Sequence, residues 1–293
     1  MNDQSFYTLV NPSTGNLAFK ILSFEDNRYF DHLQRLNYYS LIWMVEGSAK
    51  LKADFAEFAV GPGAMMCFSP YQPFMLEAQG ACKGVAIHFH PDFFCIHKHH
   101  KEVACHGVLF NNIYQPPFVL VAETEQPALM VLIDQMRNEM QHAALAQYEL
   151  LVSYLKILLI QASRLKVAQH PVAASDVAGL KEPFVLQNLK NAIEEHYKTK
   201  HSAGDYATML NISPKALAKI SKTHFNKTLT ALISERIVIE AKRELYLTSK
   251  PVKTIAWELG FDDEYYFSRF FKTNANVSPQ LYRNTVGFAR AEG

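Results

Sequence analysis

Two stretches of this chain, about fifty positions apart, carry matching side chains in the same order. Ala207, Leu210, Asn211 and Ile212 recur as Ala256, Leu259, Gly260 and Phe261. After one inserted position, Leu217, Lys219, Lys222, Thr223 and Asn226 recur as Phe267, Arg269, Lys272, Thr273 and Asn276. The chemistry within reach of such a pattern is that of long cationic side chains on a helix face, which neutralise phosphates and donate hydrogen bonds to base edges. The helix that carries them needs a partner to brace it. Small Ala207 and Ala256 let a preceding helix lie close, Gly260 permits a tight turn, and Asn211 is the next most tolerant residue in that place. A helix, a tight turn and a second, basic helix, written twice, is the pattern of paired DNA-binding helix-turn-helix units.

A second concentration of reactive side chains lies earlier. His88, His90, His97, His99, His100 and His106 fall close together, with Cys95 and Cys105 among them. His88 and His90, two positions apart on a strand, point to the same face, as paired metal ligands do. The pattern of a metal-binding cupin also needs a glutamate four or five positions after the second histidine, and Pro91, Asp92, Phe93, Phe94 and Cys95 supply none. The expectation is therefore no metal and no cofactor. With no Ser/His/Asp order, glycine-rich phosphate loop or carboxylate pair, no catalytic residue is assigned either. Trp43, Tyr71 and Phe74 are read as core or as the lining of a cavity, and no effector-binding residue is assigned.

The elements that position these residues follow from periodicity. Between residues 38 and 89 apolar and polar side chains alternate, as in Leu41, Trp43, Val45 and in Ala49, Leu51, Ala53 set between Lys50, Lys52 and Asp54, which marks half-buried strands. Glu46-Gly47-Ser48 reads as a hairpin turn, and many short strands with Gly/Pro turns predict a small antiparallel barrel or jelly roll. From 127 to 166 the spacing becomes helical: Leu129, Leu132, Ile133, Met136, Met140, then Leu151, Leu155, Leu158, Leu159. Those helices are expected to pack on the barrel or on a partner subunit. Residues 167–182, with Pro171 and Gly179, read as a linker. From 184 onward everything reads as helix: 184–198 opens it, Ser202 to Asp205 is a capping box, Ser213-Pro214 starts the next basic helix, and 229–248 forms a long helix stopped by Ser249-Lys250-Pro251.

The 293 residues carry a net charge of +1, which hides an asymmetry. Residues 183–293 hold 16 basic against 11 acidic side chains, and the rest of the chain 13 against 17. A basic segment joined to a mildly acidic one fits a nucleic-acid-binding domain joined to a domain with another task. Cys67, Cys82, Cys95 and Cys105 lack CxxC spacing, which fits a reduced, cytoplasmic protein, and the apolar run 150–160, broken by Ser153 and Lys156, is too short to cross a bilayer.

The tail also carries a family resemblance. Ile255-Ala256, then Gly260-Phe261-Asp262-Asp263-Glu264-Tyr265-Tyr266-Phe267-Ser268-Arg269-Phe270-Phe271-Lys272, then Ser278-Pro279-Gln280-Leu281-Tyr282-Arg283 resemble the DNA-binding domain of AraC/XylS-type transcriptional regulators. The match covers roughly the last hundred residues; the N-terminal part resembles the family's cupin-like regulatory domain in arrangement only. The resemblance implies a multidomain fold: a cupin-like β-barrel sensing domain over 1–126, a helical dimerisation segment over 127–166, a linker over 167–182, and an all-α double helix-turn-helix domain over 183–293. It implies that Lys215, Ala218 and Lys219 read bases in the first unit and Glu264, Tyr265, Ser268 and Arg269 in the second, with Lys222, Lys272 and helix N-terminal amides on phosphates. The partners implied are double-stranded DNA, a second copy of the chain, a small-molecule effector and RNA polymerase, in a bacterial cytoplasm at the nucleoid. Four positions depart from the pattern: Ser221 stands where a core phenylalanine is usual, Lys219 where arginine is common, and Asn226 and Asn276 where glycine is usual. Ser221 leads to the expectation that the second unit contributes more to binding. Two other readings stay open at this point, a metal-dependent cupin-type enzyme with an appended helical domain and an adaptor whose helices bind another protein.

Overall fold

A computed structural model describes residues 6–11, 15–26, 28–54, 56–78, 80–99, 103, 107–142, 144–169 and 184–286. The chain divides into two compact units, Met1–Asn112 with Pro116–His170, and Ile113–Gln115 with Pro171–Gly293. His100, Cys105, His106 and most of the expected linker, 170–182, lie outside the described residues.

The first unit is built on strands β1 (Phe6–Val10), β2 (Leu17–Phe24), β3 (Tyr39–Glu46), β4 (Ala49–Ala53), β5 (Ala56–Val60), β6 (Ala64–Phe68), β7 (Phe74–Ala78), β8 (Lys83–Phe89) and β9 (Phe118–Leu120). They form a six-stranded sheet in the order β1-β2-β8-β3-β6-β9 and a three-stranded sheet in the order β5-β4-β7. Every pairing within them is antiparallel. Leu22, Ile42, Met44, Leu51, Phe68, Phe74 and Leu76 form one core between the two sheets. Helices α1 (Gln126–Gln141) and α2 (Gln147–Gln169) cover the outer face of the large sheet, where Leu41 and Trp43 meet Leu129, Ile133, Met136, Leu151 and Leu155 in a second core.

Three expectations change. β3 is buried along both faces rather than alternating, because it lies between the helices on one side and the small sheet on the other. Glu46-Gly47-Ser48 is a corner and not a hairpin, since β3 pairs with β6 and β8 while β4 pairs with β5 and β7. Gly47 has φ +89°, and a Cβ there would stand 2.5 Å from the Ala81 carbonyl oxygen, so the corner requires glycine. Helix α2 runs to Gln169, so residues 167–169 are helix and not linker.

The candidate metal pair is also accounted for. His88 is buried, its Nδ1 lies 2.8 Å from Ser40 Oγ, and burial, with the nearby Lys20 charge, lowers its pKa to about 4. His90 is buried beside Asp92, with its Nδ1 3.4 Å from the carboxylate. Among the described residues no group of three His, Cys, Asp or Glu side chains is placed to hold a metal ion. Trp43 faces the helices rather than the space between the sheets, and Phe74 stacks on Phe68 at 4.0 Å inside it. Lys166 is buried on α2, its ammonium donating to the carbonyls of Pro116, at 2.6 Å, and of Phe118.

The second unit is helical throughout its named elements: α3 (Phe184–His196), α4 (Ala203–Met209), α5 (Pro214–Phe225), α6 (Leu229–Leu247), α7 (Val252–Glu258), α8 (Glu264–Ala275) and α9 (Pro279–Val286). Local signals set the boundaries. Ser202 and Asp205 form the reciprocal capping box, and Ser213 caps α5 with Pro214 at its first position. Thr228 caps α6, while α3 ends at His196, two residues before the expected limit.

Candidate nucleic-acid interface

Each helix pair closes with the same turn. In the first, Ile212 N donates to the Ala207 carbonyl at 3.0 Å, and in the second Phe261 N donates to the Ala256 carbonyl at 3.0 Å. Asn211 at φ 53° and Gly260 at φ 80° take the left-handed conformation that this closure needs. A Cβ on Gly260 would meet the Lys198 carbonyl oxygen at 2.0 Å, so glycine is required there for space as well as for φ. Ala207 and Ala256 are buried under their partner helices. Asn226 and Asn276 end α5 and α8 at φ 54° and 62°, where asparagine does what glycine does elsewhere.

The two basic helices bury one face and expose the other. Leu217, Ser221 and Phe225 are buried on α5, and Phe267, Phe271 and Ala275 on α8; Ile220 and Phe270 are half-buried. Lys215, Ala218, Lys219 and Lys222 are exposed on α5. Their counterparts fifty positions on are Tyr265, Ser268, Arg269 and Lys272, of which Ser268 is half-buried and the others exposed, Tyr265 to 81%. Spacing of three, four and seven puts each set on one helical stripe. Glu264, the first residue of α8, is half-buried. All nine sequence-assigned positions therefore lie on or beside the outer face of one of two matched helices.

The departure at Ser221 is compensated. Its side chain is fully buried, and its hydroxyl donates to the Lys227 carbonyl at 2.8 Å. Lys227 is itself buried, and its ammonium lies 2.7 Å from the Glu235 carboxylate. At the matching places of the second unit stand Phe271 and Val277, both buried. One unit closes its core with a polar hook, the other with aromatic contact: Phe261 to Phe267 at 5.2 Å, Phe267 to Phe271 at 6.1 Å, Phe271 to Tyr282 at 5.8 Å.

At the helix N-termini some of the amides expected on phosphate are already paired within the chain. The Asp263 carboxylate accepts from the amides of Tyr265 and Tyr266, and Ser213 Oγ accepts from that of Ala216, so these donors already have partners and do not remain for phosphate. Lys222 bends to the end of its own helix, 3.3 Å from the Asn226 carbonyl.

Arg283 has a part that spacing alone does not reveal. Its guanidinium donates to the carbonyls of Leu245 at 3.1 Å, Thr248 at 3.5 Å and Lys250 at 2.7 Å, and so fastens α9 to the end of α6 and the entry to α7. The only sequence signal for it is its place in the family pattern. Trp257 and Tyr266 are also exposed near the second helix pair, with the Lys253 ammonium 4.7 Å from the Trp257 ring centre.

Residues 206–285 match the family model described as a helix-turn-helix domain. The segment is also 32% identical over 95 residues to the raffinose operon transcriptional regulatory protein RafR of Pediococcus pentosaceus. It forms an AraC-type helix-turn-helix domain. The RafR match covers 32% of this chain and 34% of RafR, so the chain spans about a third of the length of that relative. The regulatory protein SoxS of Salmonella typhimurium is 29% identical over 102 residues, covering 35% of this chain and 95% of SoxS. Among solved structures, ToxT of Vibrio cholerae is similar at 15% identity over 96% of each chain, with a TM-score of 0.41. The AraC-type domain thus coincides with the helical pairs α4–α5 and α7–α8, the helix between them and α9. No helix among the described residues is long and apolar enough to cross a membrane.

Proposed function

We propose that the protein is a sequence-specific DNA-binding transcription regulator. The observation that supports this best is the repetition of one geometry: two helices of twelve residues, each entered through the same closed turn, presenting equivalent stripes fifty positions apart. In this reading α5 and α8 enter successive major grooves on one face of the duplex, about one helical turn apart (roughly 34 Å), and α6 holds their separation. Lys215, Ala218, Lys219, Glu264, Tyr265, Ser268 and Arg269 face base edges; Lys222 and Lys272 contact phosphates.

The first unit serves, in the same proposal, as a cupin-like domain through which a small-molecule effector shifts the population of DNA-binding arrangements, with a second copy docking on the outward faces of α1 and α2. Exposed Leu150, Ile157 and Val167 on α2 support that docking. The cytoplasm, the nucleoid and contact with RNA polymerase belong to the same reading.

Selection of duplexes from a random pool by the full chain tests it. The expected result is a defined site whose log affinity falls linearly with log salt, by about 0.9 per phosphate contact. Failure to enrich any sequence, with the chain folded, contradicts it.

A further inference from the structure

The two units carry opposite charge around the same geometry. Residues 211–226 contain Lys215, Lys219 and Lys222 and no acidic residue, a net charge of +3. The corresponding residues 260–276 set Arg269 and Lys272 against Asp262, Asp263 and Glu264, a net charge of −1. The exposed stripes differ in kind as well. On α5 they are three ammonium groups and a methyl group; on α8 they are a phenol, a hydroxyl, a guanidinium and one ammonium, with a carboxylate beside them.

From this we infer that the two units divide the work of binding: the first grips the duplex through charge with little regard to sequence, and the second supplies most of the base discrimination. The inference rests on the DNA-binding function proposed above. An ammonium on a flexible four-carbon stem is a point charge with rotating donors, satisfied by many phosphates and acceptors, whereas a guanidinium is a fixed fork that matches the O6/N7 edge of guanine. Lys215 and Lys219 have no acid within their own segment to neutralise them, and in this division they neutralise phosphates in place of the base-edge contacts proposed for them above. At the start of α8 the Asp263 carboxylate occupies the amides of Tyr265 and Tyr266, and with Asp262 and Glu264 it repels the phosphate backbone. Long-range attraction is therefore weak for α8, and its residence depends on short-range contacts at base edges. On a wrong sequence those contacts fail and Lys272 alone of its stripe is left on phosphate.

The brace agrees with this division. Reading by a planar group demands a fixed backbone, and α8 is backed by the Phe261, Phe267 and Phe271 cluster, with Tyr282 of α9 against Phe271. Charge attraction tolerates displacement, and on α5 the hydroxyl of Ser221 stands where α8 has the Phe271 ring, with Leu217 and Phe225 buried beside it.

The test uses the full chain and the duplex it selects from a random pool, together with two duplexes in which one half of that site or the other is scrambled. The half contacted by α8 is assigned as the one where Arg269→Ala changes base preference. Scrambling the α8 half is expected to lower affinity at least about tenfold, and scrambling the other half less than about fivefold. The double variant Lys215→Ala/Lys219→Ala is expected to weaken the selected and scrambled duplexes alike and to reduce the salt slope by about 1.8. Tyr265→Ala and Arg269→Ala are expected to flatten base preference while reducing that slope by no more than about 1. Thermal melting checks that each variant is folded; all four substituted side chains are exposed. Equal losses from scrambling either half, or loss of base preference from the lysine variant alone, overturn the division of labour while leaving DNA binding intact. No binding of any duplex by the unaltered chain at low salt overturns the proposed function and this inference with it.

Discussion

The two helix-turn-helix units reach one backbone geometry by different side-chain means. Turn closure at Ile212 and at Phe261 has the same hydrogen bond at the same length, yet one turn is made with asparagine and the other with glycine. Behind α8 the core is closed by Phe271 on Tyr282; behind α5 it is closed by the Ser221 hydroxyl on the Lys227 carbonyl and by the Lys227–Glu235 ion pair. Backbone closure is thus what both units share, and core chemistry and surface charge vary around it. Ser221 is not a weakened phenylalanine site. It belongs to a polar arrangement that includes its neighbours in the following turn.

Substitutions can break this contrast at graded cost. Phe271→Ala removes a fully buried ring and is expected to lower stability by about 3–5 kcal/mol, read by denaturant melting of the full chain, with the helical signal of the second unit lost first. An effect below about 1 kcal/mol would mean that the aromatic core does not support α8. The contrasting change, Ser221→Phe, makes the first unit look like the second but takes the donor from the buried Lys227 carbonyl and overfills a closed site. It is expected to destabilise by about 1–3 kcal/mol, although it restores the residue usual in the family. Stabilisation by Ser221→Phe would show that the polar hook is dispensable.

Gly260→Ala is expected to cost about 1–2 kcal/mol for φ +80° alone, with the contact to the Lys198 carbonyl adding to it, whereas Asn211→Gly should change melting by only a few tenths of a kcal/mol. Equal effects at the two turns would contradict their different crowding.

The strand-built N-terminal unit offers a pH comparison. His88 has a pKa near 4 in the folded chain, lowered mainly by burial, against 6.5 for the ordinary side chain. A lowered histidine pKa means that the unfolded chain binds the proton more readily, so stability present above pH 6.5 is lost as pH falls from 6.5 toward 4. The loss is expected to reach about 3 kcal/mol, since each unit of pKa is about 1.4 kcal/mol. His88→Gln should flatten that dependence in the melting of the first unit and leave the helical unit unchanged; a profile unaltered by the substitution would remove His88 as the cause.

Local features were legible in the sequence, and long-range ones were not. Ser202 with Asp205, Ser213 with Pro214, and the left-handed asparagines act within a few residues of themselves, so their types and spacing announce their roles. The duplication pointed to α5 and α8 as paired basic helices, whereas the individual positions on their exposed stripes came from the family resemblance. Sheet pairing was hidden: a Glu-Gly-Ser turn looks the same whether the strands on either side pair with each other or belong to facing sheets. The burial of Lys166 and Lys227 was hidden too, because a lysine's partners, here the carbonyls of Pro116 and Phe118 and the Glu235 carboxylate, come from elsewhere in the chain. Arg283 acts on carbonyls 33 to 38 positions away, a relation that no period in the sequence encodes.

The central claim is that α5 and α8 sit together in successive grooves of one duplex. Hydroxyl-radical footprinting of the full chain on its selected duplex tests this directly. The account predicts two protected stretches on the same face of the helix, with centres about 10–10.5 base pairs apart. One protected stretch only, or two on opposite faces, would contradict it.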